Sequence, residues 1–288
     1  MFRFVAAEKA LDKDFPISVA CDLLGVSRSG YHAWVTREPS ARVVEDRRLW
    51  PLIEHFHGVS DATYGARRLQ QDLADVGERV GRDRIWRIMR SRGISGRVVR
   101  LRRRLRHLED EGLHAVDLVN RDWHPEGPNQ LWIADITQVN TWEGVLYIAA
   151  VMDVYSRKIV GWSMQPHMRK ELVIEALEMA IAGRRPAPGL VHHSDHGAQY
   201  TSYAFGKTLR DAKILPSMGR VRTCADNAVA ESFFATLKKE KIHRRSWPTR
   251  AELQSVVFEY IEGWYNTRRR HSKLGNISPA NYEAQKAA

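Results

Sequence analysis

The run Leu131-Trp132-Ile133-Ala134-Asp135-Ile136-Thr137-Gln138-Val139 has the apolar texture of a buried strand, yet it carries one acid at its centre, Asp135. A carboxylate inside such a strand is costly unless it holds a cation or keeps its proton. The fold must therefore bury this strand and still give Asp135 a use. A second strand is expected over residues 145–154 and a third over 158–164, with connections short enough for an antiparallel meander. Residues 171–182 have helical apolar spacing, 189–195 read as a buried strand ending in an acid, and 203–212 read as a further helix. Strands first in a meander and then alternating with helices indicate an α/β mixed sheet flanked by helices.

Two more acids occupy places from which they can meet Asp135. Asp195 ends its strand just before His196-Gly197, where the chain can turn and project a carboxylate from the sheet edge. Glu231 lies in a helix marked by Val229, Phe233, Phe234 and Leu237. Three hard carboxylates of this kind suit Mg²⁺ or Mn²⁺, and two such ions about 3.5–4 Å apart can activate a nucleophile and stabilise a leaving oxygen at phosphorus. Taken singly, each acid reads first as a helix cap, a surface charge or half of an ion pair. Asp153 also follows an apolar strand, but Tyr-Ser-Arg comes next and a turn role fits it better. Asp226 and Asn227 read first as a cap before the Glu231 helix, with substrate contact as the alternative. His192, His193 and His196 invite a zinc reading, but the chain has only two cysteines, which favours strand-end and supporting roles.

The first 108 residues hold 22 Lys+Arg against 13 Asp+Glu, and the remaining 180 hold 23 against 21, so nearly all of the +11 net charge is N-terminal. A basic half of this size seeks a polyanion, since neutralised phosphates release their counterions, and nucleic acid is the expected partner. Within residues 1–60, apolar spacing over 17–34 breaks at Gly25 and resumes after Ser27. This pattern reads as a helix-turn-helix offering Arg28, Tyr31 and His32 to DNA, or as an ordinary helical hairpin. Within residues 61–108 a second helix pair, turning at Gly77, would bury Leu69, Leu73, Ile85, Ile88 and Met89. It would leave Arg67, Arg82, Arg84, Arg87 and Arg90 for phosphate. Arg97, Arg100, Arg102, Arg103, Arg104 and Arg106 follow as a basic linker or a solvated tether. The run Arg268-Arg269-Arg270-His271 reads as a further DNA contact or a solvated helix end.

Other classes are excluded. At 43% hydrophobic and 27% charged residues the chain can bury a core, so wholesale disorder is ruled out. No apolar run approaches the roughly 20 residues of a membrane span. The two cysteines are too few for a disulfide framework and favour a reducing, cytoplasmic setting. The N-terminus does not read as a secretory signal, and the chain is expected to act at its full length.

Several motifs together carry a specific resemblance. They are Trp132-Ile133-Ala134-Asp135-Ile136-Thr137, Asp153-Val154-Tyr155-Ser156-Arg157-Lys158-Ile159-Val160-Gly161-Trp162, His193-Ser194-Asp195-His196-Gly197-Ala198-Gln199-Tyr200-Thr201-Ser202, and Asp226-Asn227-Ala228 leading to Glu231. Thirty-five residues separate Asp195 from Glu231, Lys238 follows Glu231 by seven, and Tyr265-Asn266-Thr267-Arg268-Arg269-Arg270-His271-Ser272-Lys273-Leu274-Gly275 precedes Ser278-Pro279-Ala280. Over nearly its whole length the chain resembles the OrfB-type transposases of the bacterial insertion-sequence three family, within the DDE transposase and retroviral-integrase superfamily. The resemblance implies an RNase H-like integrase core over residues 122–288, preceded by the all-α helix-turn-helix region. It implies that Asp135, Asp195 and Glu231 are catalytic and hold two divalent ions, and that Lys238 positions the terminal DNA. It implies cleavage at the element's terminal inverted repeats and transfer to target DNA, by a homo-oligomer at the nucleoid, with an upstream OrfA product sometimes fused by frameshifting. The readings from other classes are a non-catalytic helix-turn-helix regulator and an RNase H-like nuclease.

Overall fold

Contacts along the chain fall into two units, Met1–His55 and Phe56–Ala288, and the computed structural model describes residues 1–12, 14–97, 116–120, 122–218 and 228–287. The first unit begins with α1 (Phe2–Leu11), α2 (Ile17–Leu23) and α3 (Arg28–Thr36). Its small core joins Val5, Ala20, Cys21 and Tyr31, all buried. Gly25 takes φ +63° after α2, and the Ser27 hydroxyl accepts a hydrogen bond from Gly30 N at 2.9 Å, capping α3. Arg28 and His32 are exposed on α3, but Tyr31, offered to DNA beside them by the sequence, closes the core instead. Helix α4 (Ala41–Val59) runs across the division between the units.

The second unit opens with a helical pair, α5 (Ala66–Asp75) and α6 (Arg82–Ser91). Leu69, Leu73, Ile85, Ile88 and Met89 are buried, so the expected apolar face is the one formed, and Gly77 turns between the helices at φ +87°. The Arg-rich segment containing Arg100, Arg102, Arg103, Arg104 and Arg106 lies outside the described residues, as do Cys224, Asp226 and Asn227.

Five strands then build one sheet in the order β3-β2-β1-β4-β5. Strands β1 (Leu131–Thr141), β2 (Gly144–Asp153) and β3 (Ile159–Gln165) form the antiparallel meander. Helix α7 (Lys170–Arg184) crosses back, and β4 (Val191–Ser194) pairs in parallel with β1. Helix α8 (Tyr203–Asp211) leads to β5 (Leu215–Met218), parallel to β4 at the sheet edge. Chain order closes with α9 (Ala228–Glu240), α10 (Arg250–Phe258), a π-helical turn over Glu259–Tyr265 and α11 (Pro279–Ala287).

Strand alternation divides the core between the two faces of the sheet. Leu131, Ile133 and Val139 pack on one face with Phe233, Phe234 and Leu237 of α9. Trp132 and Ala134 pack on the other with Leu172, Ala176 and Leu177 of α7 and Phe205 of α8. Asp153 is fully buried at the end of β2, accepting hydrogen bonds from Asn129 N (2.7 Å) and Tyr155 N (3.0 Å) and facing Arg184 at 3.4 Å. It braces a turn, as the residues after it suggested.

Where α7 crosses β3 the backbones touch at Gly161: a Cβ there would lie 2.1 Å from Ala176 O and 2.8 Å from Ala180 Cβ. Gly161→Ala should therefore force the helix off the sheet and destabilise the chain by roughly 1–3 kcal/mol or more, read as a drop in the urea midpoint. A midpoint within the scatter of surface substitutions would contradict this packing.

Candidate active site

The parallel ladder between β1 and β4 decides where the acids meet. Leu131 pairs with Val191, Trp132 with His192 and Ile133 with His193, each partner 60 residues on. Asp195 follows directly after β4, at the same 60-residue offset from Asp135, and its charge reaches the Asp135 carboxyl. They stand at the C-terminal end of β4, where the sheet changes from antiparallel to parallel pairing, a usual place for a site in an open sheet.

Asp135 shares its sheet face with Leu131 and Ile133, which is the face covered by α9. Glu231 sits in the first turn of α9, and Lys238 lies seven residues on, close to two turns and so on nearly the same side. The charges of Asp195, Glu231 and Lys238 all reach the Asp135 carboxyl. Burial pushes Asp135 up to about 7, and the Asp195 and Glu231 carboxylates push the same way. The Ile136 N–H, donating to Oδ1 at 2.8 Å, and the Lys238 ammonium oppose them. Asp195 is exposed, with Oδ1 accepting from Gly197 N at 3.1 Å, and Glu231 is exposed.

The donor set is thus three carboxylates on neighbouring elements with one lysine beside them. Among the described residues no group of three or more His, Cys, Asp and Glu is drawn together tightly enough to hold a metal ion. Asp195 and Glu231 both act on Asp135 as like charges, without the three closing on a common point. Divalent cations with hard oxygen ligands relieve that kind of repulsion, so the residues present fit the ions the sequence implied.

His192 and His193 are buried in β4. Burial holds His192 near 4, hence neutral, and its ring packs on Phe205 at 5.4 Å. His193 Nδ1 lies 2.9 Å from Ser217 Oγ. Tyr200 was not singled out from the sequence: its ring is in the core, its buried hydroxyl has no hydrogen-bond partner among the described residues, and it lies within reach of the charges of Asp135 and Asp195. Only its place in the motif after Asp195 pointed to it.

The basic residues divide into two groups. Arg28, Arg67, Arg82 and Arg90 are exposed, Arg84 and Arg87 are partly so, and Arg90 stacks on the exposed Trp86 ring at 5.2 Å. Lys238 is partly buried beside the acids, while Arg102, Arg103 and Arg104 lie outside the described residues. The C-terminal run behaves differently from its reading as a DNA contact. Arg268 is exposed, but Arg269 is buried on Glu240, with Nη2 to Oε1 at 2.8 Å, and Arg270 is held by Asp72 and Asp75. Their guanidinium groups are taken up within the protein.

Residues 125–224 and 231–286 match family models described as the integrase core domain, and residues 45–104 match one described as an HTH-like domain. The chain is 44% identical to the insertion element IS600 uncharacterized 31 kDa protein of Shigella sonnei, over 91% of this chain and 96% of that protein. It is 37% identical to the transposase for insertion sequence element IS629 of Shigella sonnei, over 96% and 94% of the two chains. It is 33% identical to transposase InsF for insertion sequence IS3A of Escherichia coli (strain K12), over 99% and 100%.

The raised Asp135 carboxyl makes stability depend on pH. Between about pH 4 and pH 7 the folded chain holds a proton that the unfolded chain releases, so this group's contribution is full in acid and is lost as pH rises through 7. Without divalent cations, the Tm of the wild type should fall between pH 5 and pH 8 relative to that of Asp135→Asn. Parallel curves for the two proteins would show that Asp135 is not held in this way.

Proposed function

The chain belongs to the OrfB-type transposases of the bacterial insertion-sequence three family, whose integrase core makes them polynucleotidyl transferases, and from that premise we propose that it cuts and joins DNA strands at Asp135, Asp195 and Glu231. The HTH-like region supplies DNA binding, directed at the terminal inverted repeats of the element. The observation that supports the proposal is the convergence of charge on the buried Asp135 carboxyl, from Asp195 just after the β4 strand that pairs with β1 and from Glu231 and Lys238 of α9.

In this reading water opens the phosphodiester at the element end. The freed 3′-hydroxyl then attacks a target phosphodiester and displaces the target's own 3′-oxygen. Asp135, Asp195 and Glu231 would hold two divalent cations, Mg²⁺ or Mn²⁺. When bound, such ions supply charge neutralisation at phosphorus and a more acidic oxygen nucleophile. Asp135 must be ionised to serve, so its elevated carboxyl ties the site to cation occupancy. Lys238, on the same side of α9 as Glu231, seats a phosphate of the terminal strand. Arg28, Arg67, Arg82, Arg84, Arg87, Arg102, Arg103 and Arg104 contact DNA backbone. Two ends must be brought together, which calls for a homo-oligomer on DNA, with the OrfA product joining it where frameshifting supplies one. A DNA substrate places the chain at the nucleoid, in the cytoplasm.

The test is a Mg²⁺-dependent joining assay with the element's own end oligonucleotide. Glu231→Gln and Asp135→Asn should each lower joining by about 100-fold or more, because each removes an anionic ligand at phosphorus. End binding by gel shift should hold within about twofold, since the basic surface is untouched. Joining by either variant at the wild-type rate would remove that acid from the site. Cleavage without joining in the wild type would favour a nuclease, and end binding with neither reaction would favour a regulator. Independently of activity, Mg²⁺ should raise the Tm of the wild type at pH 8, and raise that of Glu231→Gln less.

A further inference from the structure

Helix α5 carries two stripes. Leu69 and Leu73 face into the helical pair, whereas Arg68, Asp72 and Asp75, spaced four and three apart, form a charged stripe along another side. That stripe meets the C-terminal run of arginines. Arg270 Nε donates to Asp72 Oδ1 at 2.7 Å, Nη2 donates to Asp75, and Nη1 donates to Asn276 O at 2.8 Å. All three guanidinium nitrogens are thus engaged by protein acceptors. The backbone N–H of Arg270 donates to the Tyr64 hydroxyl at 2.8 Å, just before α5, and the Tyr64 ring lies 5.7 Å from that of Trp264.

Behind this contact lies a second one. Glu240, the last residue of α9, is buried between Arg269 and Tyr260, whose hydroxyl donates to Oε2 at 2.8 Å, and Arg68 of α5 stands 3.9 Å from Oε1. Just beyond α9, Lys241 Nζ donates to Asp61 at 2.6 Å and Arg244 pairs with the same carboxylate, in the turn that precedes α5. The helix carrying Glu231 in its first turn therefore carries, nine residues on, the seat of the α5–α6 pair. At 1.5 Å per residue that separation is about 14 Å of rigid rod.

We propose that Arg270, backed by the Arg269–Glu240 pair, is a positioning residue: an ionic clasp that locks the HTH-like helices to the strand-joining core, so that DNA held on α6 reaches the acids in one register. The proposal rests on the function argued above. It gives the C-terminal arginines a task other than phosphate contact, and it explains why acids stand on one side of a helix pair whose exposed residues are strongly basic.

The test uses the full chain and its element-end oligonucleotide. Asp72→Asn with Asp75→Asn removes both acids of the clasp and makes α5 more basic. End binding should hold or tighten while joining falls tenfold or more. Arg270→Glu should lower joining to a similar degree, and adding Asp72→Arg to it should recover most of the loss by restoring the pair with its charges exchanged. Joining by the double Asn variant at or above the wild-type rate would show that Arg270 serves DNA and not the clasp. Binding and joining that fall in proportion, or no recovery on charge exchange, would also overturn the proposal. If the wild type joins no strands, the function fails first, and the clasp is then read by amide hydrogen exchange. Exchange in α5 and α6 should rise tenfold or more in the double Asn variant while that of β1 and β2 is unchanged, and unaltered α5 and α6 would refute it.

Discussion

Everything in the second unit is arranged around a repulsion. The parallel pairing of β1 with β4 brings the segment carrying Asp195 beside the strand carrying Asp135, and α9 adds Glu231, so like charges act on a carboxyl that burial already keeps from ionising. Such a cluster persists only if the elements bearing it are held by other forces. They are held by apolar surface on both sides: Ile133, Phe233, Phe234 and Leu237 beneath α9, and Trp132, Leu172, Ala176 and Leu177 beneath α7. The close approach of α7 to Gly161 belongs to the same framework. Stability is spent to keep Asp135 away from water and within reach of the charges of Asp195 and Glu231, which is the usual signature of a working site.

Helix α9 turns this local arrangement into a larger one. Its start faces the acids, its middle fills the core, and its end is gripped by Arg269, Tyr260 and Arg68. A buried ion pair of the Glu240–Arg269 kind adds little net stability over an apolar pair, but losing one partner is expensive, so it enforces one geometry more than it strengthens the fold. The helical pair α5–α6 meets this end of the core through ion pairs of Arg270 and Glu240, with the Tyr64 and Trp264 rings beside them. Fixed geometry between a DNA-holding element and a reacting centre is what alignment of a phosphodiester for in-line attack requires.

Much of this was visible in the residues, and for identifiable reasons. Asp135 stood out because it is alone in an apolar strand, and the meander was readable because its connections are short. The face buried by α5 and α6 followed from the spacing of Leu69, Leu73, Ile85, Ile88 and Met89. Asp195 and Glu231 were weak as single acids; their places allowed a meeting with Asp135, and the family's motifs and spacing made that set specific. Strand β5 was not anticipated: four residues with Pro216 in an edge strand give no alternation to read. Tyr31 was misread because its core partners Val5, Ala20 and Cys21 lie on other helices, and Arg269 and Arg270 because their acids lie far along the chain. Exposure cannot be judged from one element when the partner lies far away in the chain, and Asp72 is 198 residues from Arg270. A run of arginine looks like a phosphate site until its acids are found.

The central claim is that the three carboxylates act as one cation-dependent centre. The most direct measurement is the titration of the Asp135 side-chain carboxyl by carbon NMR, with and without Mg²⁺. Without the ion Asp135 should titrate near pH 7, and with it the midpoint should move well to the acid side, because a bound cation favours the ionised form. An Asp135 that titrates near 4 and ignores Mg²⁺ would contradict the account, since no crowded acidic centre would then exist for DNA strands to meet.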